Sequence, residues 1–368
     1  MGAKVEDRHE RILRLVREHG SIRISELAEA LGTSGETVRR DVRALYDSGQ
    51  LRRVHGSVSL PTAPLSARDA RLAASDPHPG PHTTRIGMVS PVAGYFYEGI
   101  IRGARAAAGA SKTRLHVATT DYNPDLDAMN MASMVQAGIR GLLLSPSWGR
   151  EGPSDDDLDA LAALTVPAVL VERALPPTHP LPMIDQVCSA HAEGMALAVR
   201  HLAGLGHRRI AFLSQNTPTM PQIREGYHAT MRRLGLAADD LIPDVPRDGP
   251  EAHEEELRRL FALIDGDDVR AAVVHTDVDA INLLQRLEMR GVRVPEDFAL
   301  VSYDDELATI ADVPLTAIAP AKYPIGETAA RLLLNRIADP TMHSLHVRIT
   351  PQLHVRASCG AARGGKAS

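Results

Sequence analysis

The sequence has little cysteine and no long apolar run, and each absence removes a class of protein. Only two cysteines, Cys188 and Cys359, occur among 368 residues. They form neither a disulfide framework nor a metal-ligand spacing, so both are predicted to be reduced. No stretch approaches the roughly eighteen apolar residues of a membrane helix, and the charged start MGAKVEDRHE lacks the apolar segment of a secretory signal. We therefore expect a cytoplasmic protein without a membrane partner, a metal or a cofactor.

Lysine is also scarce, because arginine supplies most of the basic residues along the whole chain. The number of arginines is therefore not informative, whereas their positions are. The 41 basic residues comprise 4 lysines and 37 arginines. Residues 1–60 hold 11 basic and 9 acidic residues, a net charge of +2, whereas the rest holds 30 basic against 37 acidic residues, a net charge of −7. A mildly basic head on an acidic body indicates a polyanionic partner for the head alone.

The first sixty residues combine three helical patterns with a hairpin pattern. Apolar residues recur at helical spacing in 11–16, 25–31 and 34–48, and the short turn Gly32-Thr33-Ser34 joins the last two stretches. In the third helix Val38, Val42 and Leu45 should be buried. Past Gly49 the stretch QLRRVHGSVSL alternates and turns at His55-Gly56, as a two-stranded wing would.

Two short helices joined by a tight turn with glycine are typical of a helix-turn-helix, whose second helix enters the major groove of DNA. Arginines and hydroxyls would contact phosphates, and Thr37, Arg39 and Arg40 would read bases. The alternative is a solvated charged face on an ordinary three-helix bundle, but the ordered succession of cap, turn, helix and wing favours DNA binding. The predicted DNA-binding residues are Ser34, Thr37, Arg39, Arg40, Arg43, Arg52, Arg53 and His55.

A known family shares this pattern. Residues 34–57 read SGETVRRDVRALYDSGQLRRVHGS. They closely resemble the DeoR-type winged helix-turn-helix, whose pattern runs approximately S-x-x-T-[IV]-R-R-D-[LV]-x-x-L and then G-x-L-x-R-x-H-G-G. The only departure is Ser57, which stands at the second glycine. The resemblance implies that the partner of the head is a double-stranded DNA operator.

A proline-rich connector follows the head. Between residues 61 and 81 the chain has five prolines among small residues, which is typical of an interdomain linker. His78 and His82 fall inside PHPGPH, and spacer histidines are favoured there over a metal site. The predicted domains are a DNA-binding head at 1–60, a linker at 61–84, an effector-binding and dimerisation core of two lobes at 85–358, and a flexible tail at 359–368.

From residue 85 short apolar runs alternate with helical stretches. Such alternation indicates an α/β protein with parallel sheets covered by helices. Strands are predicted near residues 85–90, 115–120, 141–146, 167–172, 209–214, 271–276, 298–303 and 316–320, with a late pair at 346–350 and 353–357.

Ligands of such sheets bind at the carboxyl ends of the strands, and in this chain unusual residues collect there. Aromatic residues make up only 3% of the sequence, yet the run Tyr95-Phe96-Tyr97 follows the first strand and the only tryptophan follows the third. Rings stack on the apolar face of a sugar, and charged groups hydrogen-bond its hydroxyls. The predicted ligand-binding residues are Phe96, Tyr97, Trp148, Glu172, Arg173, Arg224 and Asp277.

Five of these residues also have a structural interpretation. Phe96 and Tyr97 could be core residues beneath a helix start. Glu172 and Arg173 could form a local ion pair, and Asp277 could cap a helix.

The core resembles a second known family. RIGMVSPVAGYFYEGIIRG, GHRRIAF, VPEDFALVSYDD and PLTAI are similar to stretches of the effector-binding core of the LacI family, which is related to periplasmic sugar-binding proteins. The resemblance spans residues 85–357. It implies a two-lobed, type I periplasmic-binding-protein-like core of parallel sheets, a sugar or related effector, and a homodimer. It also implies that Phe96, Tyr97, Glu172, Arg173, Arg224 and Asp277 line the cleft.

This chain departs from the LacI pattern at several positions near the cleft. The usual Asn-Pro before the aromatic pair is Gly94-Tyr95, the usual Asp-Asn at the crossing into the second lobe is Ala190-His191, and Glu172 is one methylene longer than the common aspartate. The LacI-type DNA-binding head and hinge helix are absent. The resemblance therefore predicts the class of effector and not a specific ligand.

The favoured function is a ligand-controlled transcription regulator, a repressor by family habit, in which lobe closure changes operator affinity. The alternative is a solute-binding protein for transport or chemotaxis, against which the DNA-binding head argues. An enzyme is not favoured, because the sequence has no H-E-x-x-H, G-x-S-x-G or G-x-G-x-x-G, and GASKT at 109–113 has Ser111 where a phosphate loop needs glycine. His275, Asp277 and Asp279 fit a strand end and helix cap better than a metal cluster.

Overall fold

The computed structural model divides the chain into two compact units, Met1–Ser66 and Ala67–Ser368. The residues that it describes are 8–9, 11–16, 21–23, 27, 31, 33, 37–38, 40–42, 45, 52–54, 57–59, 84–149, 151–175, 184–214, 216–240, 250–266 and 268–361. Apart from Thr84, the predicted linker lies outside these residues. The predicted tail is described only as far as Ala361, and its first residue, Cys359, is buried beside His201.

The first unit contains a small antiparallel sheet and a helical core. Its strands are β1 (Ser21–Arg23), β2 (Arg52–Val54) and β3 (Ser57–Ser59), in the order β1-β3-β2. Val54 pairs with Ser57, so the hairpin predicted around His55-Gly56 is confirmed. Strand β1 was not predicted from the sequence. Helical residues with described placement are 8–9, 11–16, 27, 31, 37–38, 40–42 and 45.

The apolar spacing of the third helical pattern is confirmed by burial. Val38, Val42 and Leu45 are buried together with residues of the two earlier helical patterns. One polar residue joins this core: Asp41 accepts hydrogen bonds from the Arg8 guanidinium. Burial would raise the pKa of the Asp41 carboxyl, but the bonds from Arg8 and His9 outweigh it and lower that pKa. An aspartate inside an arginine-rich motif therefore anchors the first helix.

The second unit alternates strands and helices as the sequence predicts. Its strands are β4 (Arg85–Ser90), β5 (Arg114–Thr119), β6 (Leu142–Leu144), β7 (Ala168–Val171), β8 (Asp185–Ser189), β9 (Arg209–Ser214), β10 (Ala237–Asp240), β11 (Ala271–His275), β12 (Ala299–Tyr303), β13 (Thr316–Ala319), β14 (His346–Ile349) and β15 (Gln352–His354). Its helices are α1 (Phe96–Ala110), α2 (Pro124–Gln136), α3 (Asp155–Ala162), α4 (His191–Gly204), α5 (Met220–Leu234), α6 (Pro250–Asp265), α7 (Asp277–Met289) and α8 (Lys322–Ala338), with a 3-10 turn at Ala357–Cys359.

The strands form two six-stranded sheets, one in each lobe. Lobe 1 has the order β14-β8-β7-β6-β4-β5, and lobe 2 has the order β10-β9-β11-β12-β13-β15. Every pairing is parallel except that of β13 with β15. The predicted α/β class with two lobes of parallel sheet is therefore confirmed.

Each sheet has helices packed on it. Helices α1 and α8 cover lobe 1, where Ile100 and Leu333 share a buried cluster with strand residues such as Val169. In lobe 2, α4 and α5 cover one face, with Met195 and Tyr227 in the cluster, and α6 and α7 cover the other. Burial of these apolar faces is the main favourable contribution to the stability of such a layered fold.

The chain passes between the lobes three times. It leaves lobe 1 between β8 and α4, returns between β13 and α8, and leaves again between β14 and β15. Because the strands of a parallel sheet all point the same way, these crossings lie at the edge where the carboxyl ends of β8 and β13 meet the other lobe. The carboxyl edges of the two sheets thus face each other.

Candidate functional site

The aromatic run lies where β4 joins α1, at the carboxyl edge of lobe 1. Phe96 is half-buried and contacts the edge of Tyr97, with ring centroids 5.7 Å apart. Tyr97 is only 4% exposed, and its phenol interacts with Arg173 and Ser145 inside the lobe. Burial is the main cause that raises the pKa of Tyr97. Phe96 can therefore offer a ring surface, whereas Tyr97 supports the wall behind it.

Glu172 and Arg173 directly follow β7, and both are held inside lobe 1. The Glu172 carboxylate accepts the Ser189 hydroxyl at 2.8 Å and the Ser189 amide at 3.1 Å, and it contacts His191 Nε2 at 3.3 Å. Burial would raise the pKa of Glu172, but the bonds from His191 and Ser189 lower it overall. Arg173 donates to the carbonyls of Pro146 and of Glu172 itself. The pair is not a simple mutual ion pair, because each charge has other partners.

Trp148 follows β6 and is 4% exposed. Its neighbour Ser147 donates its amide to Asp127 Oδ2 at 2.6 Å, and its hydroxyl lies 3.0 Å from that of Thr120. Burial is the main cause that raises the pKa of Asp127. The other oxygen of Asp127 has no hydrogen-bond partner in the part of the chain that is described. This buried carboxyl was not predicted from the sequence.

In lobe 2, Asp277 begins α7 without capping it. Thr276 is the N-cap, and its partner in the capping box is Asp279. Asp277 is fully buried, and its Oδ2 accepts the amides of Glu306 and Leu307 at 2.6 and 2.8 Å. Its Oδ1 has no partner among the residues that the structure describes. A buried carboxylate oxygen without a donor is costly unless a ligand or water supplies one.

The remaining predicted residue of lobe 2 is Arg224. It lies at the start of the second turn of α5, half-buried, and α5 follows the carboxyl end of β9. At the carboxyl edge of the sheet of lobe 2, the Ser214 hydroxyl at the end of β9 lies 2.8 Å from Nδ1 of the buried His275 at the end of β11. Phe96, Tyr97, Trp148, Glu172 and Arg173 therefore belong to lobe 1, and Arg224 and Asp277 to lobe 2.

Among the described residues, the side chains of Tyr95, Lys322 and His191 make polar contacts between the lobes. The Tyr95 hydroxyl donates to Asp304 Oδ2 at 3.0 Å. Lys322 lies at the start of α8, and its ammonium contacts Glu306 at 2.5 Å and the Asp304 carbonyl.

The third contact is made by His191, whose Nδ1 lies 3.0 Å from the Tyr303 hydroxyl while its Nε2 faces Glu172. These contacts bring the two carboxyl edges together.

Several residues of this site were not predicted from the sequence. Tyr95, His191, Asp304 and Lys322 were not among the predicted ligand-binding residues. Asp304 directly follows β12 in the stretch SYDD. The rule that ligands bind at the carboxyl ends of strands could therefore have identified it. Within the described ranges, no group of three or more His, Cys, Asp or Glu side chains is placed to hold a metal ion, and no helix there is long and apolar enough to cross a membrane.

For the predicted DNA-binding residues the structure describes only part of the set. Thr37 is half-buried and Arg40 is exposed. Arg52 and Arg53 lie on β2, but their side chains lie outside the description. Ser34, Arg39, Arg43 and His55 also lie outside the described residues.

Comparison with known proteins matches each unit separately. Residues 8–63 match the model of the DeoR-like helix-turn-helix domain, and residues 199–359 match that of the periplasmic binding protein-like domain. The chain is 26% identical over 341 residues to the arabinose metabolism transcriptional repressor of Geobacillus stearothermophilus, covering 90% of this chain and 89% of that protein. It is 29% identical over 289 residues to the ribose operon repressor of Escherichia coli K12, covering 75% of this chain and 82% of that protein.

Solved structures agree on the fold of the core. A LacI transcriptional regulator from Rhodococcus superposes with a TM-score of 0.63 at 27% identity, over 75% of this chain and 98% of that one. A LacI family regulator from Enterococcus faecium with bound ribose superposes with a TM-score of 0.60 at 21% identity, over 75% and 98%.

The two facing lobes and the helix-turn-helix unit thus define a ligand-responsive, DNA-binding regulator of transcription. The site lies at the carboxyl edges of the two sheets, where ligands of α/β proteins bind. Specifically, residues 8–63 are similar to the DeoR-like helix-turn-helix domain, and the core is similar to the periplasmic binding protein-like domain and to LacI transcriptional regulators.

Proposed function

We propose that the core binds a sugar, with pentoses as the first candidates, and that binding changes the affinity of the head for its operator. The observation that carries the sugar proposal is the buried Asp277, whose Oδ1 has no donor among the described residues. The same edge also holds the half-buried ring of Phe96 and the arginine Arg224. A sugar would supply a hydroxyl to that oxygen and an apolar face to the ring.

The relatives support this ligand class. Two of the repressors are named for arabinose and ribose, and two neighbours of the same fold were solved with ribose and with D-xylulofuranose. All of these sugars have five carbons and adjacent hydroxyls. In this chain Phe96, Trp148, Arg224 and Asp277 would contact the sugar, whereas Tyr97, Glu172 and Arg173 would hold the wall of lobe 1.

The rest of the function follows from the DNA-binding head. We propose residues 1–60 as the operator-binding domain, 61–84 as the linker, 85–358 as the core and 359–368 as the tail. Ser34, Thr37, Arg39, Arg40, Arg43, Arg52, Arg53 and His55 would contact the DNA. The protein would act in the cytoplasm as a homodimeric repressor, and it would release its effector chemically unchanged.

A thermal-shift panel tests the sugar proposal. The full-length protein would be melted with D-ribose, L-arabinose, D-xylulose, D-xylose and a set of hexoses. A sugar at a hundred times its dissociation constant should add about 2.7 kcal/mol to the free energy of unfolding. We expect at least one pentose to raise the melting temperature and to change the affinity for DNA from beside the gene.

Two variants make the test specific. Asp277→Asn keeps the size of the side chain but removes its charge, and it should abolish the shift. Arg233→Ala, an exposed change on the same helix as Arg224, should leave it unchanged. A panel without any shift would reject the sugar proposal.

A further inference from the structure

Lys322 carries a positive charge at a place where its own helix disfavours one. It is the first residue of α8, and the amino end of a helix is the positive end of the helix dipole. The first turn of α8 has no acidic residue, and the N-cap, Ala321, offers no side-chain acceptor. The Lys322 side chain is only 8% exposed, so its ammonium depends on a partner from elsewhere in the fold.

That partner belongs to the opposite lobe. The ammonium contacts a carboxylate oxygen of Glu306 at 2.5 Å and the carbonyl oxygen of Asp304, and both acceptors lie in the loop after β12. The stem of Lys322 packs on α1 so closely that a Cβ at Gly99 would lie 2.9 Å from the Lys322 Cβ. The ammonium also lies 5.5 Å from the centre of the Phe96 ring, a distance at which a cation is attracted to an aromatic face. Lys322 thus joins a fixed position of lobe 1 to one loop of lobe 2.

The same loop holds the carboxylate of Asp277. The amides of Glu306 and Leu307 donate to Asp277 Oδ2 at 2.6 and 2.8 Å. Asp277 is fully buried, and a buried carboxylate depends on such donors. Glu306 therefore has two partners in different lobes, since its carboxylate contacts Lys322 and its amide binds Asp277.

The backbone of this loop needs contacts to keep its conformation. Asp304 and Asp305 have φ angles of 115° and 58°, a region that residues other than glycine rarely occupy and that persists only where the surroundings fix it. In lobe 2, Arg356 bonds the Asp305 carboxylate. From lobe 1, the contacts include the Lys322 ammonium and the Tyr95 hydroxyl, which donates to Asp304. Both lobes therefore contribute to the conformation of the loop.

We propose that Lys322 is a positioning residue, which couples the arrangement of the two lobes to the carboxylate of Asp277. In the arrangement of this structure Lys322 holds Glu306, and the amides of Glu306 and Leu307 remain on Asp277. When the lobes separate, the ammonium leaves Glu306, the loop loses this support, and Asp277 loses its fixed donors. Lobe arrangement and effector binding then influence each other through one loop. Only this last consequence rests on the proposed function, in which Asp277 contacts the sugar.

The competing explanation is a purely electrostatic role. The carboxyl groups of Asp277, Asp304 and Glu306 lie close enough to interact, and an ammonium beside them reduces their repulsion. In that case the loss of the ammonium destabilises lobe 2 as a whole. A positioning role instead predicts a local effect, which is concentrated on the amides of the loop.

Hydrogen exchange of the full-length protein, followed by mass spectrometry, distinguishes the two explanations. It reports the opening of separate backbone segments and needs no effector. We expect Lys322→Met to make the Glu306 and Leu307 amides exchange at least about tenfold faster, the factor that corresponds to one hydrogen bond of a charged group. Amides within β11 and β12, which report the unfolding of lobe 2, should change much less.

Further variants test the same contact from the other side. Glu306→Gln removes the charge of the carboxylate but keeps the backbone amide, so it should accelerate the same two amides, and it serves if Lys322→Met does not fold. Because both changes break one contact, the double variant should exchange no faster than the faster single variant. Lys112→Met is the matched control, since it removes an ammonium from an exposed position of lobe 1, and it should exchange like the wild type.

The link to the effector is tested separately in the wild type. If opening of the loop abolishes sugar binding, D-ribose or L-arabinose at a hundred times its dissociation constant should slow exchange of the two amides by up to about a hundredfold. A sugar that binds without slowing them would contradict the coupling of the loop to the effector.

The possible failures are distinct. If either Lys322→Met or Glu306→Gln leaves the two amides at the wild-type rate, or accelerates all amides of lobe 2 equally, Lys322 does not position the loop. If both variants accelerate the two amides selectively and neither sugar binds the wild type, the positioning role stands and the pentose proposal fails on its own.

Discussion

At the scale of single residues, the core depends on polar groups that are buried with specific partners. His275 is the clearest example, because it is 5% exposed and bonds the Ser214 hydroxyl. Burial, and secondly the neighbouring His191, lower the pKa of His275 to about 3. An imidazole in an unfolded chain has a pKa of about 6.5. Folding therefore keeps this imidazole neutral.

This difference predicts an acid sensitivity. Below pH 6.5 the unfolded chain binds a proton that folded His275 does not take up, so stability falls as the pH decreases from about 6.5 toward 3. The slope is about 1.4 kcal/mol per pH unit. At pH 5 this amounts to roughly 2 kcal/mol.

His275→Gln should remove this part of the pH dependence, measured as the difference in unfolding free energy between pH 7.5 and pH 5. His346→Gln, at an exposed position on β14, is the matched control and should keep the wild-type dependence. An identical loss of stability in His275→Gln and the wild type would contradict the prediction.

Single residues of the site could be predicted from the sequence where a simple rule applied. The strand-end rule found the aromatic run, the Glu172-Arg173 pair and Asp277. It could not show that Tyr97 and Glu172 point into lobe 1, because side-chain direction depends on partners such as Ser189 that are distant in the sequence. His191 was noticed only as a departure from a pattern, and its contact with Tyr303 joins residues more than a hundred positions apart.

At the scale of elements, helices α1 and α8 pack with unusually close backbones. A Cβ atom at Gly103 would lie 2.1 Å from the carbonyl oxygen of Tyr323, and one at Gly326 would lie 1.8 Å from that of Ile100. No side chain fits at these distances, so glycine is required on both helices at the crossing. The two helices cover the sheet of lobe 1 together.

Gly326→Ala should therefore destabilise the protein, even though alanine has the higher helix propensity. The helices must separate, and such overpacking costs about 1–3 kcal/mol. Gly109→Ala is the matched control, since a Cβ there meets nothing within 4 Å, and it should be neutral or stabilising by up to about 1 kcal/mol. Denaturant unfolding of both variants measures the contrast, and equal midpoints would count against the close crossing.

Most elements were predictable from the sequence because their strands are apolar runs. Strands β4 and β9 begin and end where they were expected, at Arg85–Ser90 and Arg209–Ser214. Strands β8 and β10 were missed, because DQVCS and AADD are not apolar. Asp185 in β8 is nevertheless buried, since Arg336 of α8 pairs with it at 3.0 Å. The burial of this strand depends on an ion pair between distant segments, so a pattern of neighbouring apolar residues does not predict it.

At the scale of the whole molecule, the sequence predicted a regulator because the pattern of the head and the pattern of the core occur in one chain. The head is recognised by its apolar spacing and its arginine motif, and the core by the strand–helix alternation. The charge separation agrees, with the head more basic than the core. DNA affinity should therefore depend on the head's arginines and fall with salt.

Arg40→Ala tests this at an exposed position of the head. Loss of one phosphate contact should weaken binding to operator DNA and reduce the slope of log affinity against log salt by about 1. If Arg40 contacts a base instead, the loss should be confined to the specific sequence. Arg233→Ala in the core is the control, and fluorescence anisotropy across salt concentrations distinguishes the cases. Unchanged affinity and slope in Arg40→Ala would contradict its assignment.

The three passages of the chain between the lobes have a consequence for synthesis on the ribosome. Lobe 1 takes β4 to β8 from residues 85–189, but it receives α8 and β14 only from residues after 321. Until those residues emerge, the glycine-lined side of α1 and the β8 edge have no cover, although lobe 2 is already largely synthesised. Chains that stop early would expose that surface to other nascent chains. The residues after 321 therefore complete the cover of the first lobe, long after its central strands have been synthesised.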